Sequence, residues 1–198
     1  MPETKIRPAT LDDLPALSGL FELLMRGQMA YDRLAEIFPE ADFEKLVRGF
    51  LSAGNNKILL ALRGESAIGF IRLNIYSGTG IKRLQSPSRN TLLERLGPRR
   101  VARKILGSLL ARLEPPLAPP SIFKPQRTGY IADLFVEEQN RKAGAGSELV
   151  RQALNWFGEN QIELVYLQVL SENRAGVEFW QKQGFSGYRM LMRKKLPG

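Results

Sequence analysis

The 198-residue sequence predicts one α/β domain. Apolar runs of strand length alternate with amphipathic helical stretches along the chain. The second half reads strand, helix, strand, an order that favours parallel neighbours. The length suits one well-buried core rather than two full domains. The expected unit is 1–198, with a helical insertion at about 77–127.

Lys5 to Arg7 reads as a short strand. Leu11 to Met25 follows as a helix, with Leu14, Leu17, Leu20 and Leu24 at helical spacing. Phe43 to Leu51 is a second helix, stopped by Gly54-Asn55-Asn56. Lys57 to Leu62 is a buried strand, Arg63 to Ser66 a turn, and Ala67 to Tyr76 its antiparallel partner. Order breaks between Ser77 and Arg127 and returns with a strand at Tyr130 to Val136. Gly146 to Phe157 is a helix with Leu149, Val150, Ala153, Leu154 and Phe157 on one side. Ile162 to Val169 is a strand. Asn173 to Gln183 is a helix with Asn173 as N-cap and Gly184 just beyond its end. Phe185 to Leu196 alternates as a final strand.

Composition narrows the chemistry. The sequence has neither cysteine nor histidine. Disulfides, a thiol nucleophile and the commonest general base are therefore excluded, and the usual zinc sites are not expected. At 43% hydrophobic and 25% charged it resembles soluble globular proteins. No apolar run approaches a membrane span, and MPETKIRPAT lacks the apolar core of a signal peptide, so a cytoplasmic location is expected. The net charge of +9 invites a nucleic-acid reading. Between Ile81 and Arg112, however, Lys82, Arg83, Arg89, Arg95, Arg99, Arg100, Arg103, Lys104 and Arg112 face Glu94 alone. Nearly all the excess belongs to that insert, and nucleic acid is not the expected partner.

Within the insert, Val101, Ile105, Leu109 and Leu113 form an apolar stripe over 98–113, flanked by basic residues. Such a helix suits a membrane surface or an acidic partner. It equally suits a packing helix at the sheet edge or a homodimer contact, which is the preferred reading. The segment from Tyr31 to Glu44 is acidic through Asp32, Glu36, Glu40, Asp42 and Glu44. It reads as a solvated face or as a border that selects a cationic amine.

The most informative stretch is Tyr130 to Gly146, YIADLFVEEQNRKAGAG. A strand leads into a basic, glycine-bearing loop that opens a helix, with Arg141, Gly144 and Gly146 at R-x-x-G-x-G spacing. Backbone N–H groups at a helix start, with small residues allowing close approach, suit a pyrophosphate. No Gly-Lys-Ser/Thr follows, so the loop is not a Walker A motif; Gly-x-Gly-x-x-Gly is also absent.

This stretch, with Val169 to Asn173 and Phe179-Trp180-Gln181-Lys182-Gln183-Gly184-Phe185, resembles the acetyl-CoA-binding motifs of GNAT-type N-acetyltransferases. Ile6 to Asp13 and the strand at Ala67 to Phe70 resemble the family more loosely. The resemblance implies a mixed, mostly antiparallel central sheet with splayed central strands and flanking helices. It implies acetyl-CoA as co-substrate and a small-molecule or peptide amine as acceptor. Leu134, Phe135 and Val136 would offer backbone groups to the pantetheine arm. Arg141, Lys142, Ala143, Gly144, Ala145, Gly146 and Ser147 would hold the pyrophosphate, with Lys142 standing where relatives commonly carry glycine. Asn173 and Trp180 would lie near the thioester, although Asn173 also reads as an N-cap and Trp180 as core.

The same comparison removes the usual proton-handling groups. Trp180 stands where relatives usually carry an acidic tyrosine, and an indole N–H does not release its proton. Ala132 and Gln168 stand where relatives often place a glutamate base. Asp133 and Tyr188 remain as weak catalytic candidates, alongside Tyr130. A positioned acid or base contributes about 10²–10⁴-fold, so turnover survives its loss if proximity is kept. The acceptor must then be neutral. A lysine-like amine with pKa about 10.4 is neutral in fewer than ~0.1% of molecules at pH 7, an α-amine in about a tenth. The sequence therefore predicts either transfer to a low-pKa amine or a catalytically silent acyl-CoA-binding regulatory module.

Overall fold

The computed structural model describes residues 3–32, 34–54, 56–78 and 126–194. The insert reading at 81–112, its helix at 98–113 included, lies outside the described residues.

Strand β1 (Thr4–Pro8) leads through a single turn of 3-10 helix into α1 (Leu14–Met29). Asp13 fixes that turn: its carboxylate accepts from the Thr10 backbone N–H at 2.8 Å and forms a two-pronged pair with Arg7 at 2.6 Å. The Arg7 guanidinium holds the Asp13 carboxyl down to about 2. Helix α1 runs past its expected end at Met25. Helix α2 (Phe43–Ser52) starts on Asp42, whose side chain accepts from the Lys45 N–H at 2.8 Å.

Strands β2 (Asn56–Arg63) and β3 (Ser66–Gly78) form a hairpin about Gly64, whose φ of 62° is the left-handed conformation that favours glycine. Strand β4 (Gln126–Val136) pairs antiparallel with β3 along its whole length, out to Gly78↔Gln126. The insert is thus the connection of a β-hairpin, entered two residues later than the loss of pattern at Ser77 implied. Helix α3 (Ala145–Glu159), strand β5 (Leu164–Leu167) and helix α4 (Arg174–Lys182) complete the order.

The five-stranded sheet runs β1-β2-β3-β4-β5, antiparallel except for the β4–β5 pair. Alternation sends Phe70 to one face with Phe21, Val47 and Phe50 of α1 and α2. It sends Ile71 and Leu73 to the other with Leu149, Val150, Ala153 and Phe157 of α3. Phe157 lies over Gly129, where an added Cβ would come within 2.7 Å of the ring. Leu154, expected in the buried stripe of α3, is 38% exposed instead.

One expected element is absent among the described residues. Phe185 to Lys194 joins no ladder, and Met190, Leu191 and Met192 are exposed. Its alternation reflects two-sided chemistry, but a strand also needs a backbone partner. Strand β5 is likewise shorter than the apolar run that announced it. Ile162 leaves the ladder and fills the core as a loop residue.

Candidate functional site

The sheet opens at one point. The parallel β4–β5 ladder runs from Thr128↔Leu164 to Ile131↔Leu167 and stops. Strand β4 continues to Val136, held among the described residues by β3 alone, so its other edge turns backbone groups into the gap. A bulge marks the parting: Arg72 pairs with Asp133 and Leu73 with Ile131, leaving Ala132 as the extra residue. Leu134, Val136, Leu167, Phe179 and Trp180 pack around the same apolar cluster beside this opening.

Past Val136 the chain is pinned before it turns. The Glu137 N–H donates to the Ile68 carbonyl at 2.9 Å. Buried Asn140 accepts from Arg63 Nη1 at 2.6 Å and donates to Glu137 Oε2 at 2.9 Å. Arg141 folds back: its Nε donates to the Val136 carbonyl at 2.9 Å, and its guanidinium carbon lies 5.9 Å from the Phe135 ring centre. Lys142 has φ 61° and Gly144 φ 88°, two left-handed residues that curl the loop into the start of α3. Lys142 therefore keeps a backbone suited to glycine without being glycine.

Gly144 caps α3, and the first helical bond runs from the Glu148 N–H to the Gly144 carbonyl at 2.9 Å. The N–H groups of Ala145, Gly146 and Ser147 precede that bond and point out of the helix start. A Cβ on Gly146 would meet the Phe179 ring at 3.5 Å and Val136 Cγ2 at 3.8 Å. The helix start therefore sits against both the end of β4 and α4. Ser147 Oγ accepts from Gln183 Nε2 at 3.1 Å, a second tie between the two helices. Glu148, the acid of the first turn, is bonded by Arg151 at 2.6 Å and by Gln152 at 3.1 Å; mainly the Arg151 bond lowers its pKa. Neutralised in this way, it opposes an incoming anion less.

The opposite face of the sheet carries a buried polar group. Arg72 Nε donates to Asp133 Oδ2 at 2.5 Å, with both side chains 4% exposed. The Arg72 guanidinium lies 4.0 Å from the Phe50 ring centre of α2. One register step on, Asn74 Nδ2 donates to Tyr76 Oη at 3.2 Å, and the Tyr76 and Tyr130 rings meet edge to face at 6.2 Å. Burial raises both phenols above the ordinary tyrosine value. Arg72 Nη2 and Asn74 Oδ1 are buried with no hydrogen-bond partner among the described residues.

The structure therefore brings Leu134 to Val136 and Arg141 to Ser147 to one mouth. Asn173 starts α4, its Oδ1 accepting from the Gly176 N–H at 2.9 Å. A Cβ on Gly176 would crowd that cap at 2.6 Å. Trp180 packs edge-on against Phe179 and Phe185, with ring centres 5.1 and 5.3 Å away. Asp133 is tied to Arg72, on the face opposite Leu134. Tyr188 is 69% exposed, its ring tilted against that of Tyr166 with centres 5.7 Å apart. Gln168 follows the last ladder residue of β5 and is exposed. Asp32 accepts from Arg193 Nη1 at 2.7 Å, Asp42 is spent as a cap, and Glu44 pairs with Arg48.

Sequence reasoning passed over Arg72, Asn74 and Asn140. The signal for the first two was present: polar side chains at alternate positions in the otherwise apolar Phe70 to Ile75. Asn140 gave no such signal. Among the described residues, no group of three or more potential ligands could hold a metal, and no helix is long and apolar enough to cross a membrane.

The chain is similar to known proteins. The chain is 38% identical over 58 residues to an uncharacterized N-acetyltransferase, YobR, of Bacillus subtilis, covering 29% of this chain and 24% of that protein. It is 32% identical over 72 residues to N-alpha-acetyltransferase 30 of Xenopus laevis, covering 36% of this chain and 26% of that one. The matches thus span about a quarter of the length of these curated relatives. Among solved structures, a tetramutant of the BH1408 protein from Bacillus halodurans superposes with TM-score 0.70 at 15% identity, over 97% of this chain and 99% of that one. AAC(6')-Iy in complex with a CoA-linked bisubstrate analogue superposes with TM-score 0.62 at 15% identity, over 98% and 99%. At that identity the superpositions speak for the fold. The model of the acetyltransferase (GNAT) family matches residues 25–185, and the chain belongs to that family.

Proposed function

We propose that the chain binds acetyl-CoA in the gap beyond Ile131↔Leu167 and transfers the acetyl group to a primary amine of a small molecule or peptide. The observation that carries this reading is the meeting of two features. Strand β4 sheds its β5 partner at the bulge, and α3 starts beside the end of that same strand.

In this reading the N–H groups of Ala145, Gly146 and Ser147 hold the pyrophosphate at the positive end of the α3 dipole. The small residues Ala143 and Gly144 let the backbone approach. Arg141, already anchored to Val136, adds fixed positive charge, and Lys142 adds a second. The free edge of Leu134 to Val136 pairs with the amides of the pantetheine arm as an added strand would. Asn173 and Trp180 of α4 border the arm from the other side.

Transfer needs three things of the protein: a thioester held still, an amine held close, and a polarised carbonyl. Backbone N–H groups at the Ala132 bulge are the donors available for the last. The amine nitrogen bonds to the acetyl carbon, the C–S bond breaks, and the proton lost from nitrogen ends on the departing sulfur. With Asp133 occupied by Arg72 and Trp180 unable to give a proton, holding and orientation supply most of the rate; effective molarities are worth roughly 7–11 kcal/mol.

Free-CoA release over a panel of amines, with calorimetry of acetyl-CoA binding alongside, tests the proposal. Binding with turnover on at least one amine is expected. Binding with no release on any amine would assign the chain to the regulatory class, and no binding would defeat both readings.

A further inference from the structure

Among the described residues, two buried polar atoms of the sheet face that α1 and α2 cover lack a partner. Arg72 Nη2 donates to nothing there, and Asn74 Oδ1 accepts from nothing. Both residues are more than nine-tenths buried. They occupy register positions on either side of the bulge, Arg72↔Asp133 and Asn74↔Tyr130. The ladder to β5 ends within that interval, at Ile131↔Leu167. A lone donor and a lone acceptor thus share one face of β3, one strand in from the gap assigned to the thioester and at the level where it opens.

Burying such groups unpaired is costly, so a ligand that supplies both partners gains twice. The charge at this point narrows the ligand. The Asp133 carboxylate is engaged by Arg72 Nε, and the guanidinium that remains repels an ammonium. A neutral amine with a carbonyl oxygen nearby meets both needs: the oxygen accepts from Arg72 Nη2, and one amine hydrogen is donated to Asn74 Oδ1. We propose that Arg72 and Asn74 form the acceptor subsite and select α-amino carbonyl compounds, meaning amino-acid amides and peptide N-termini, over isolated alkyl amines.

This inference rests on the acetyl-transfer reading and sharpens its acceptor. An amide oxygen takes one N–H and leaves the nitrogen lone pair to face the thioester carbon. It selects the neutral amine without acting as a strong base. Adding the carbonyl also lowers the basicity of the amine, so the subsite recruits the acceptors that are neutral most often near pH 7.

The test is calorimetric binding of alaninamide and of isopropylamine to the CoA-loaded protein at equal concentrations of the neutral amine, with CoA release measured in parallel. Alaninamide is expected to bind at least about 100-fold more tightly, because a site built to hydrogen-bond strongly rejects an analogue lacking the group. The apolar pair Arg72→Leu with Asp133→Leu, which removes the donor to the carbonyl, should reduce that ratio to below about tenfold; Asn74→Leu, which removes the acceptor both amines use, should weaken the two alike and leave the ratio standing, and serves if the pair does not fold. Equal affinities overturn the subsite, whether or not CoA is released. Selective binding that the Arg72→Leu and Asp133→Leu pair abolishes, without CoA release from either amine, upholds the subsite and overturns the transfer reading.

Discussion

The two halves of β4 do different work by different means. Its Val136 end and the loop to α3 are shaped by backbone: left-handed residues at Lys142 and Gly144, a helix start, and a strand edge that has left its β5 partner. Its Ala132 bulge and the face beneath α2 are shaped by buried side chains that reach across the sheet, Arg72 to Asp133 above all. Backbone sites tolerate change in side-chain identity because the ligand meets N–H groups that nearly every residue carries. Side-chain sites do not, since each donor and acceptor must be matched individually. In the proposed reading the first half serves a ligand part common to a whole family. The second is where one chain can differ from its relatives.

The largest effect expected from breaking this contrast is at Arg72. Arg72→Ala strands Asp133 as an unpaired buried charge and should cost about 3–5 kcal/mol in urea unfolding. The apolar pair Arg72→Leu with Asp133→Leu should recover most of that loss. A cost below about 1 kcal/mol for the single change would show that the face is wetter than its burial indicates.

At the other end, Gly144→Val should cost about 1–2 kcal/mol, since a branched side chain is forced to φ 88°. It should also weaken acetyl-CoA by at least about tenfold while leaving the alaninamide preference intact. Loss of that preference would join regions treated above as separate.

A smaller effect lies outside both regions and acts as a control. Asp13 is held down to about 2 by Arg7, against an ordinary value of 3.8. A depressed carboxylate contributes stability above its unfolded value and loses it as pH falls through the folded one. The contribution, about 1 kcal/mol after screening by solvent, should disappear between about pH 4 and pH 2. Asp13→Asn should flatten that part of the stability profile without altering acetyl-CoA binding at neutral pH.

The smallest effect has the opposite sign. Lys142→Gly relieves a left-handed lysine and should stabilise the fold by about 0.5 kcal/mol. A modest loss of acetyl-CoA affinity with it would show that the lysine charge faces the phosphates; unchanged affinity would leave it solvated.

What the sequence revealed follows the same division. The loop was legible because its determinants are local: a glycine where φ is positive, small residues at a helix start, Asn173 as a cap with Gly184 at φ 87° beyond the helix. The order of strands was legible from the alternation of apolar runs. The Arg72–Asp133 pair was not, because its partners are 61 residues apart and nothing near Arg72 announces an acid across the sheet. The strand expected from Phe185 was over-read as far as Lys194, the last described residue, since alternation at Tyr188, Met190 and Met192 describes side chains and says nothing of a backbone partner. The bulge at Ala132 was hidden too. It shows only in the register, where one strand carries one residue more than its neighbour.

The most direct measurement is calorimetric titration of the wild-type chain with acetyl-CoA and with S-acetylpantetheine, which keeps the thioester and the arm but lacks the pyrophosphate. If the start of α3 holds the pyrophosphate, acetyl-CoA binds at least about 100-fold more tightly, and Gly144→Val removes most of that difference. Equal affinity for the two compounds would contradict the assignment of the loop from Arg141 to Ser147.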